Sequence, residues 1–462
     1  MSGYWSLNVE IDRSSGTFNA WIDYFVDPYI DPETSEYFGD TSWAANYTEV
    51  GGSVIGWWGN YGAESGTALV DPGLAAGPGL KTYVLGFTAA NTFSGESISA
   101  SWTVFSVAYD TTPQAVFGTA TDDIIIGGDA SDVLRGFNGA DLIDAGDGDD
   151  ILDGGSGGDR LDGGAGDDIA IGGAGDDLVT VDSTGDIVVE RAGEGHDRVL
   201  ALASVTLAAN VEELTLGGSL GLNGTGNAAD NRIFGNDGAN TLTGLGGDDI
   251  LFGSNGDDVL RGGLGADQLS GGWAGTNAGT DTVTYTEGSA GVTVNLVTGV
   301  GSGGAAQGDR YVEIDNVDGS QGNDSLVGNT YANVLRGWNG NDVLTGAGGK
   351  DMLTGGAGAD RFVYSSTAQS MVGSNADRIT DFSHAQGDRI DLAAIDASTA
   401  AAGNQAFTFI GTGLYTGVAG QLRYVVNGGV TTIGGDVNGD KVTDFHIQLT
   451  GSITLMAGDF IL

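Results

Sequence analysis

From Gly118 to Thr180 the chain divides into seven consecutive nine-residue units with no residue left over: GTATDDIII, GGDASDVLR, GFNGADLID, AGDGDDILD, GGSGGDRLD, GGAGDDIAI and GGAGDDLVT. Position six is aspartate in every unit, giving Asp123, Asp132, Asp141, Asp150, Asp159, Asp168 and Asp177. Position eight is always apolar, from Ile125 to Val179, and glycine recurs at positions one, two and four. Glycine admits positive φ, so a Gly-Gly-x-Gly run can curl its carbonyls inward where other residues would clash. An aspartate closing such a turn adds a charged hard oxygen, the donor type that Ca2+ collects in a shell of roughly six to eight oxygens. One inward apolar residue per unit cannot make a core alone, so the units must stack to bury it. Composition by itself would also allow a Gly/Asp-rich disordered linker. A register kept over seven units does not come from composition.

Two further blocks repeat the pattern. Residues 226–270 read GNAADNRIF, GNDGANTLT, GLGGDDILF, GSNGDDVLR and GGLGADQLS, with Asn231, Asn240, Asp249, Asp258 and Asp267 at position six. Residues 319–363 read GSQGNDSLV, GNTYANVLR, GWNGNDVLT, GAGGKDMLT and GGAGADRFV, with Asp324, Asn333, Asp342, Asp351 and Asp360 there. An amide keeps the oxygen and loses the charge, so turns built on Asn231, Asn240 or Asn333 are expected to hold an ion weakly or not at all. Residues 181–225 and 271–318 break the register and read as β-rich spacers. In the first of them, Asp186 reads as an isolated acidic residue.

The repeats resemble the calcium-binding nonapeptides of RTX proteins, G-G-x-G-x-D-x-U-x. The resemblance implies a parallel β-roll with ions held between successive turns on each side. From Tyr364 the chain resembles the C-terminal domain of serralysin-type metalloproteases and other type I secreted proteins. The carrying segments are ADRITDFSHAQGDRIDLAAID, GGDVNGDKVTDFHIQLTG and the terminal Asp459-Phe460-Ile461-Leu462. An acidic residue followed by three apolar ones is a recurring feature of that family's export signal, which implies the type I secretion machinery as a partner. Within this domain Asp436, Asn438, Asp440 and Asp444 follow the opening of an EF-hand-like loop. Lys441 stands where the sharp-turn glycine belongs and Ile447 where the bidentate glutamate belongs, so the segment is not an EF-hand. It reads either as a calcium loop of another kind or as a solvated acidic turn.

With 62 acidic against 16 basic residues the formal charge is −46. That sign argues against nucleic acid and anionic membrane surfaces, and for cations as partners. Cysteine is absent, which removes disulfides and thiolate metal sites. No apolar run approaches the length of a transmembrane helix, and MSGYWSLNVEIDRSSG lacks the basic start and apolar run of a cleavable signal. All five prolines fall before residue 118, which marks a change of composition near residue 115. Residues 1–114 read as a small β-sandwich-like domain of no recognised family. Trp5, Leu7, Val9 and Ile11 alternate before RSSG, and Phe18, Ala20, Ile22, Tyr24 and Val26 alternate after it.

Catalytic signals are sparse. His196, His384 and His446 each stand alone and no H-E-x-x-H occurs, so the zinc-protease half of the serralysin resemblance is missing from this sequence. G-x-S-x-G occurs at Ser156 and Ser219, both inside glycine-rich turns without the strand, helix and histidine of a nucleophile elbow. Residues 1–114 hold Trp5, Trp21, Trp43, Trp57, Trp58 and Trp102, and an acidic stretch with Asp27, Asp31, Glu33 and Glu36. The tryptophans fit a core or a face that grips a glycan or protein. One of the adjacent pair Trp57-Trp58 is expected at the surface, together with an aromatic near Tyr29 or Tyr37. The expected whole is an all-β, non-enzymatic, secreted calcium-binding protein that folds on Ca2+ after type I export, with a structural, adhesive or binding role. The alternative is an extracellular glycosidase using carboxylates of residues 1–114.

Overall fold

The computed structural model describes residues 112–273 and 279–462 throughout, and before them the strands Gly3–Asp12, Thr17–Val26, Thr41–Glu49, Gly66–Val70, Lys81–Asn91 and Ser97–Ser106. The pair Trp57-Trp58, the acidic stretch Asp27–Glu36, and Tyr29 and Tyr37 lie outside the described residues. Among the described residues there are strands and short 3-10 turns but no α-helix. The chain falls into two compact units, Met1–Leu200 and Ala201–Leu462.

In the first unit Gly3–Asp12 pairs antiparallel with Thr17–Val26, Ile11 facing Phe18 across RSSG, and Thr17–Val26 pairs with Gly66–Val70. Thr41–Glu49, Lys81–Asn91 and Ser97–Ser106 form a second antiparallel group. Pairing then turns parallel. Asp123–Ile126, Leu142–Asp147, Arg160–Ala165 and Leu178–Val181 make one parallel sheet. Ala115–Phe117, Val133–Asn138, Ile151–Ser156, Ile169–Ala174 and Ile187–Val189 make the other. Partners are 18 residues apart, as in Leu142↔Arg160 and Ile151↔Ile169. Each nonapeptide thus supplies one turn and one strand, successive units alternate between the sheets, and two units make one coil.

The period-two burial of each strand follows. Position eight points inward, so Ile125, Leu134, Ile143, Leu152, Leu161, Ala170 and Val179 form the core between the sheets, all buried. Nine residues are too few to enclose anything, and each of these side chains is covered only by the coils on either side.

The glycines at the three repeat positions are there for different reasons. At position one there is no room: a first side-chain carbon on Gly136 would lie 2.0 Å from Asp141 Oδ2 and 2.7 Å from the Gly154 carbonyl oxygen. At position four φ is positive and the backbone of the neighbouring coil is in contact. Gly157 has φ 131° and the Gly139 carbonyl oxygen 1.8 Å from where its Cβ would sit. Position two also takes positive φ, and its glycines press on the position-two carbonyl of the coil before, as Gly155 would meet the Phe137 oxygen at 2.1 Å, while Phe137, Leu245, Ser254, Trp338 and Ala347 hold the same conformation without glycine, with φ of 70–81°. Each holds a conformation that costs an L-residue about 1–2 kcal/mol.

The second unit is built the same way. Glu213–Leu216, Arg232–Phe234, Ile250–Phe252, Gln268–Ser270 and Arg310–Val312 stack in parallel on one side. Asn223–Thr225, Thr241–Gly246, Val259–Leu264, Thr282–Thr284, Asn316–Asp318, Val334–Asn339, Met352–Ala357 and Asp377–Ile379 stack on the other. The spacer 271–318 therefore adds strands to both sheets rather than interrupting them. Past residue 364 the coil continues into Phe445–Thr450, which joins Gln421–Asn427 and Val430–Asp436 in an antiparallel meander. Phe460–Ile461 pairs in parallel with Arg389–Asp391, and the buried Asp459 carboxylate accepts from His384 Nδ1 at 2.6 Å.

Two glycine substitutions separate backbone conformation from coil contact. Gly193 has φ 80° with nothing within 4 Å of its Cβ position, so Gly193→Ala should cost about 1–2 kcal/mol. Gly157→Ala must in addition push two coils apart and should cost about 3 kcal/mol or more. Denaturant unfolding in saturating calcium measures both. Equal losses would mean that coil contact contributes nothing.

Candidate calcium sites

Every position-six aspartate is buried, none more than 4% exposed. Burying a carboxylate is costly unless both oxygens find partners, and here the two oxygens are treated differently. One oxygen accepts the backbone N–H of the aspartate one coil earlier. Asp123 N donates to Asp141 Oδ1 at 2.7 Å, Asp141 N to Asp159 at 2.8 Å and Asp159 N to Asp177 at 2.7 Å. On the other edge Asp132 N donates to Asp150 at 2.6 Å, Asp150 N to Asp168 at 2.8 Å and Asp168 N to Asp186 at 3.1 Å. Two rows of carboxylates run along the coil, one per edge.

At most aspartates in the block interiors the other oxygen has no hydrogen-bond partner in the protein. Oδ2 of Asp141, Asp159, Asp168, Asp249, Asp258, Asp267, Asp342, Asp351 and Asp360 is buried and accepts no hydrogen bond. Each is aimed at the position-one glycine of its own unit, and at Asp141, Asp159, Asp249, Asp258 and Asp342 the carbonyl of the position-one residue a coil further on converges on the same point, as Asp249 Oδ2 and the Gly262 carbonyl do on Gly244. A buried, unpartnered carboxylate oxygen beside inward-turned carbonyls is the donor set of a hard cation.

The electrostatics agree. Burial first, then the charges of neighbouring carboxylates, push Asp141 up to about 7, Asp159 to about 8 and Asp258 to about 7, against the lowering effect of the donated amides. Asp351 is raised to about 8 and Asp342 to about 7 by the same causes. Ionised together without a counter-charge these rows are unfavourable, and protons or cations must supply it.

Turns at the start of a block are closed differently. Asp132 Oδ2 accepts from Gly128 N at 3.0 Å, Asp324 Oδ2 from Ser320 N at 2.7 Å, and Asp123 Oδ2 from Thr119 N. Where position six is asparagine, the amide group occupies the space. Asn231 Nδ2 donates to Val211 O, Asn240 Nδ2 to Leu222 O and Asn333 Nδ2 to Asp315 O, while each Oδ1 accepts the position-two N–H. The side-chain N–H bonds reach carbonyls that would otherwise need a cation, so these turns close without one.

The rows also take in residues that the nine-residue register misses. Asp177 N donates to Asp197, Asp258 N to Asp281, Asp267 N to Asp309, Asp351 N to Asp377 and Asp360 N to Asp388. Asp186 is therefore a row member and not the isolated residue expected from the sequence. Nothing in the local motif marks these residues, because their spacings from their partners range from 20 to 42. At Asp309 the second oxygen accepts from the buried Tyr285 hydroxyl at 2.6 Å, so a phenol fills that place. The loop of Asp436, Asn438, Asp440 and Asp444 is tied by its own groups. Asp436 accepts from Gly439 N and Lys441 N, Asn438 from Asp440 N, Asp440 from Val442 N, and Asp444 from Val437 N and Asn438 Nδ2.

Comparison with known proteins agrees with this geometry. Residues 117–152, 153–188, 225–260 and 243–274 match the RTX calcium-binding nonapeptide repeat, and residues 273–462 match the peptidase M10 serralysin C terminal family. The chain carries RTX calcium-binding repeats and a serralysin-type C-terminal domain. Its RTX repeats and C-terminal domain are shared with the metallopeptidase AprA of Pseudomonas marginalis, 44% identical over 144 residues, and the metalloprotease AprA of Pseudomonas entomophila (strain L48), 42% identical over 144 residues. The match spans 31% of this chain and 28% of each relative. Among solved structures, the AlgE6R3 subunit of the Azotobacter vinelandii mannuronan C5-epimerase is 31% identical over 32% of this chain and 77% of its own, with a TM-score of 0.24. Extracellular lipase LipA of Serratia marcescens is 11% identical over 64% of this chain and 67% of its own, with a TM-score of 0.18. Among the described residues no helix is long and apolar enough to cross a membrane.

Two predictions follow the geometry of the RTX rows. The raised carboxyls hold protons in the ion-free folded coil at pH values where the unfolded chain, with carboxyls near 4, has lost them. The ion-free coil is therefore most stable at the acid end and loses that stability as pH climbs through about 6 to 8. Circular dichroism in calcium-free buffer should show more β structure at pH 5 than at pH 8, and the reverse order would contradict the buried rows. Second, Asp159→Asn should raise the calcium midpoint at least roughly threefold, because coil neighbours depend on one another. Asp129→Asn, which removes an equal charge from an exposed position, should leave the midpoint unchanged. Equal shifts would make net charge, not site geometry, the controlling quantity.

Proposed function

We propose that the chain is a secreted protein that leaves the cell by type I export with its repeats unfolded and folds outside when calcium enters the carboxylate rows. The observation that carries this reading is the row of buried oxygens without protein partners, repeated in register inside each block. The ions lie between consecutive row members on one edge, with Asp141, Asp150, Asp159, Asp168 and Asp177 as ligands in the first block. Asp249, Asp258 and Asp267 serve the second block, and Asp342, Asp351 and Asp360 the third, with position-one carbonyls completing each shell. In the block-opening residues Asp123, Asp132 and Asp324 both oxygens accept hydrogen bonds, so these residues contribute least to ion binding. The loop of Asp436, Asn438, Asp440 and Asp444 is a hydrogen-bonded turn in this reading.

With −46 of formal charge and little cation to neutralise it, the chain stays expanded. At extracellular calcium the binding free energy becomes folding free energy. The serralysin-type C-terminal match supports the type I route. Residues 1–114 then serve as the binding or structural part, anchored to a calcium-hardened coil. The protease activity named for the relatives is not carried over, because the match spans 144 residues of them and no H-E-x-x-H occurs in this sequence.

The test is a calcium titration of the full chain at pH 8, followed by circular dichroism and light scattering. Coil should give way to β structure with compaction as Ca2+ rises through roughly 0.1–1 mM, the range of extracellular modules. An unchanged β spectrum and radius in excess chelator would overturn the reading.

A further inference from the structure

At the end of the first block the repeat geometry changes at one residue. In a regular coil the position-one glycine faces the carbonyl of the position-one residue 18 further on, as Gly136 faces Gly154. Eighteen residues after Gly172 stands Glu190, and its carboxylate turns back into the place that the carbonyl would take. Glu190 Oε1 accepts from Gly172 N at 3.1 Å and Oε2 from Gly173 N at 3.4 Å. A first side-chain carbon on Gly172 would lie 2.0 Å from Glu190 Oε1 and 2.6 Å from Asp177 Oδ2, so both oxygens face one point. Asp197, arriving 20 residues after Asp177 instead of 18, completes the row by accepting the Asp177 N–H at 2.9 Å.

One oxygen from each of Asp177, Glu190 and Asp197 lies within 4.8 Å of the other two. All three side chains are buried, Asp177 completely, and Asp177 Oδ2 has no hydrogen-bond partner. A regular site brings two carboxylates together. This is the one place among the described residues where three converge so closely. Burial first, and then the charge of Asp197, push the Glu190 carboxyl up to about 7.

We propose that Asp177, Glu190 and Asp197 form a three-carboxylate calcium site that binds more tightly than the regular two-aspartate sites of the first block. The inference rests on the calcium reading above. Ligand charge count and rigidity set calcium affinity. Here a neutral carbonyl is replaced by a carboxylate held by two backbone N–H donors. The site lies where the regular block ends, so it fills first on loading and empties last.

The experiment is a calcium titration of the full chain against a chromophoric chelator, comparing wild type, Glu190→Gln and Asp159→Asn. Wild type should show one tight equivalent ahead of a weaker class. Glu190→Gln should lose that equivalent, its affinity falling roughly tenfold or more into the weaker class, while Asp159→Asn should keep it and lose weak binding. Retention of the tight equivalent in Glu190→Gln overturns the inference and leaves the calcium reading standing. Absence of any calcium binding by wild type overturns both. Should Glu190→Gln fail to fold at saturating calcium, wild-type crystals grown in calcium and back-soaked in graded chelator decide instead. The ion at Asp177, Glu190 and Asp197 should be the last to lose occupancy in the first block, and even loss across that block overturns the inference.

Discussion

A hydrogen bond from the backbone N–H of one aspartate to the carboxylate of another, one coil later, is the contact on which the structure depends. It runs at right angles to the chain and parallel to the sheet ladders, so it ties turn to turn where the β-pairing ties strand to strand. It also takes one oxygen of every carboxylate and leaves the second aimed inward among carbonyls. The fold therefore creates its own electrostatic problem. Stacking the turns well enough to bury position eight also stacks negative charge at a spacing of a single coil. Protons or divalent cations relieve it.

The problem is not uniform along the chain. Block interiors carry bare oxygens, whereas block openings are closed by a position-two N–H or by an asparagine amide, and Asp309 by the Tyr285 hydroxyl. Each stretch of cation-demanding turns thus starts beside turns that satisfy themselves. The coil of the second unit has such turns at Asn231, Asn240 and Asn333. Local order there does not wait for an ion, and a stacked neighbour lowers the entropic cost of forming the next turn.

Much of this was legible in the sequence, because a strict period translates directly into geometry. Aspartate at six, an apolar residue at eight and glycine at one, two and four predict the coil, its core and its inward carboxylates. What escaped was whatever the fold keeps while the period lapses. Asp186 reads as an isolated acid because Val181, Asp182 and Thr184 stand where the repeat glycines belong, yet it lies 18 residues from Asp168 and accepts its amide. Asp197, Asp281, Asp309 and Asp377 join the rows at longer spacings, and only pairing in space reveals them. Glu190 is harder still, since it performs with a side chain what its counterparts perform with a carbonyl. At the Asp436 loop the spacing suggests a calcium loop or a solvated turn, and in the folded chain Asp436 accepts from the Gly439 and Lys441 amides.

Asparagine and aspartate differ by one heavy atom in identity and none in shape, and their codons differ by a single base. At position six that small change decides whether a turn asks for a metal or closes on its own N–H bonds to Val211, Leu222 or Asp315. The coil is the same either way. A lineage carrying this architecture can therefore tune how much calcium its protein demands, turn by turn, without redesigning a single contact in the core. The mixture of the two residues along the rows is a setting of that dial.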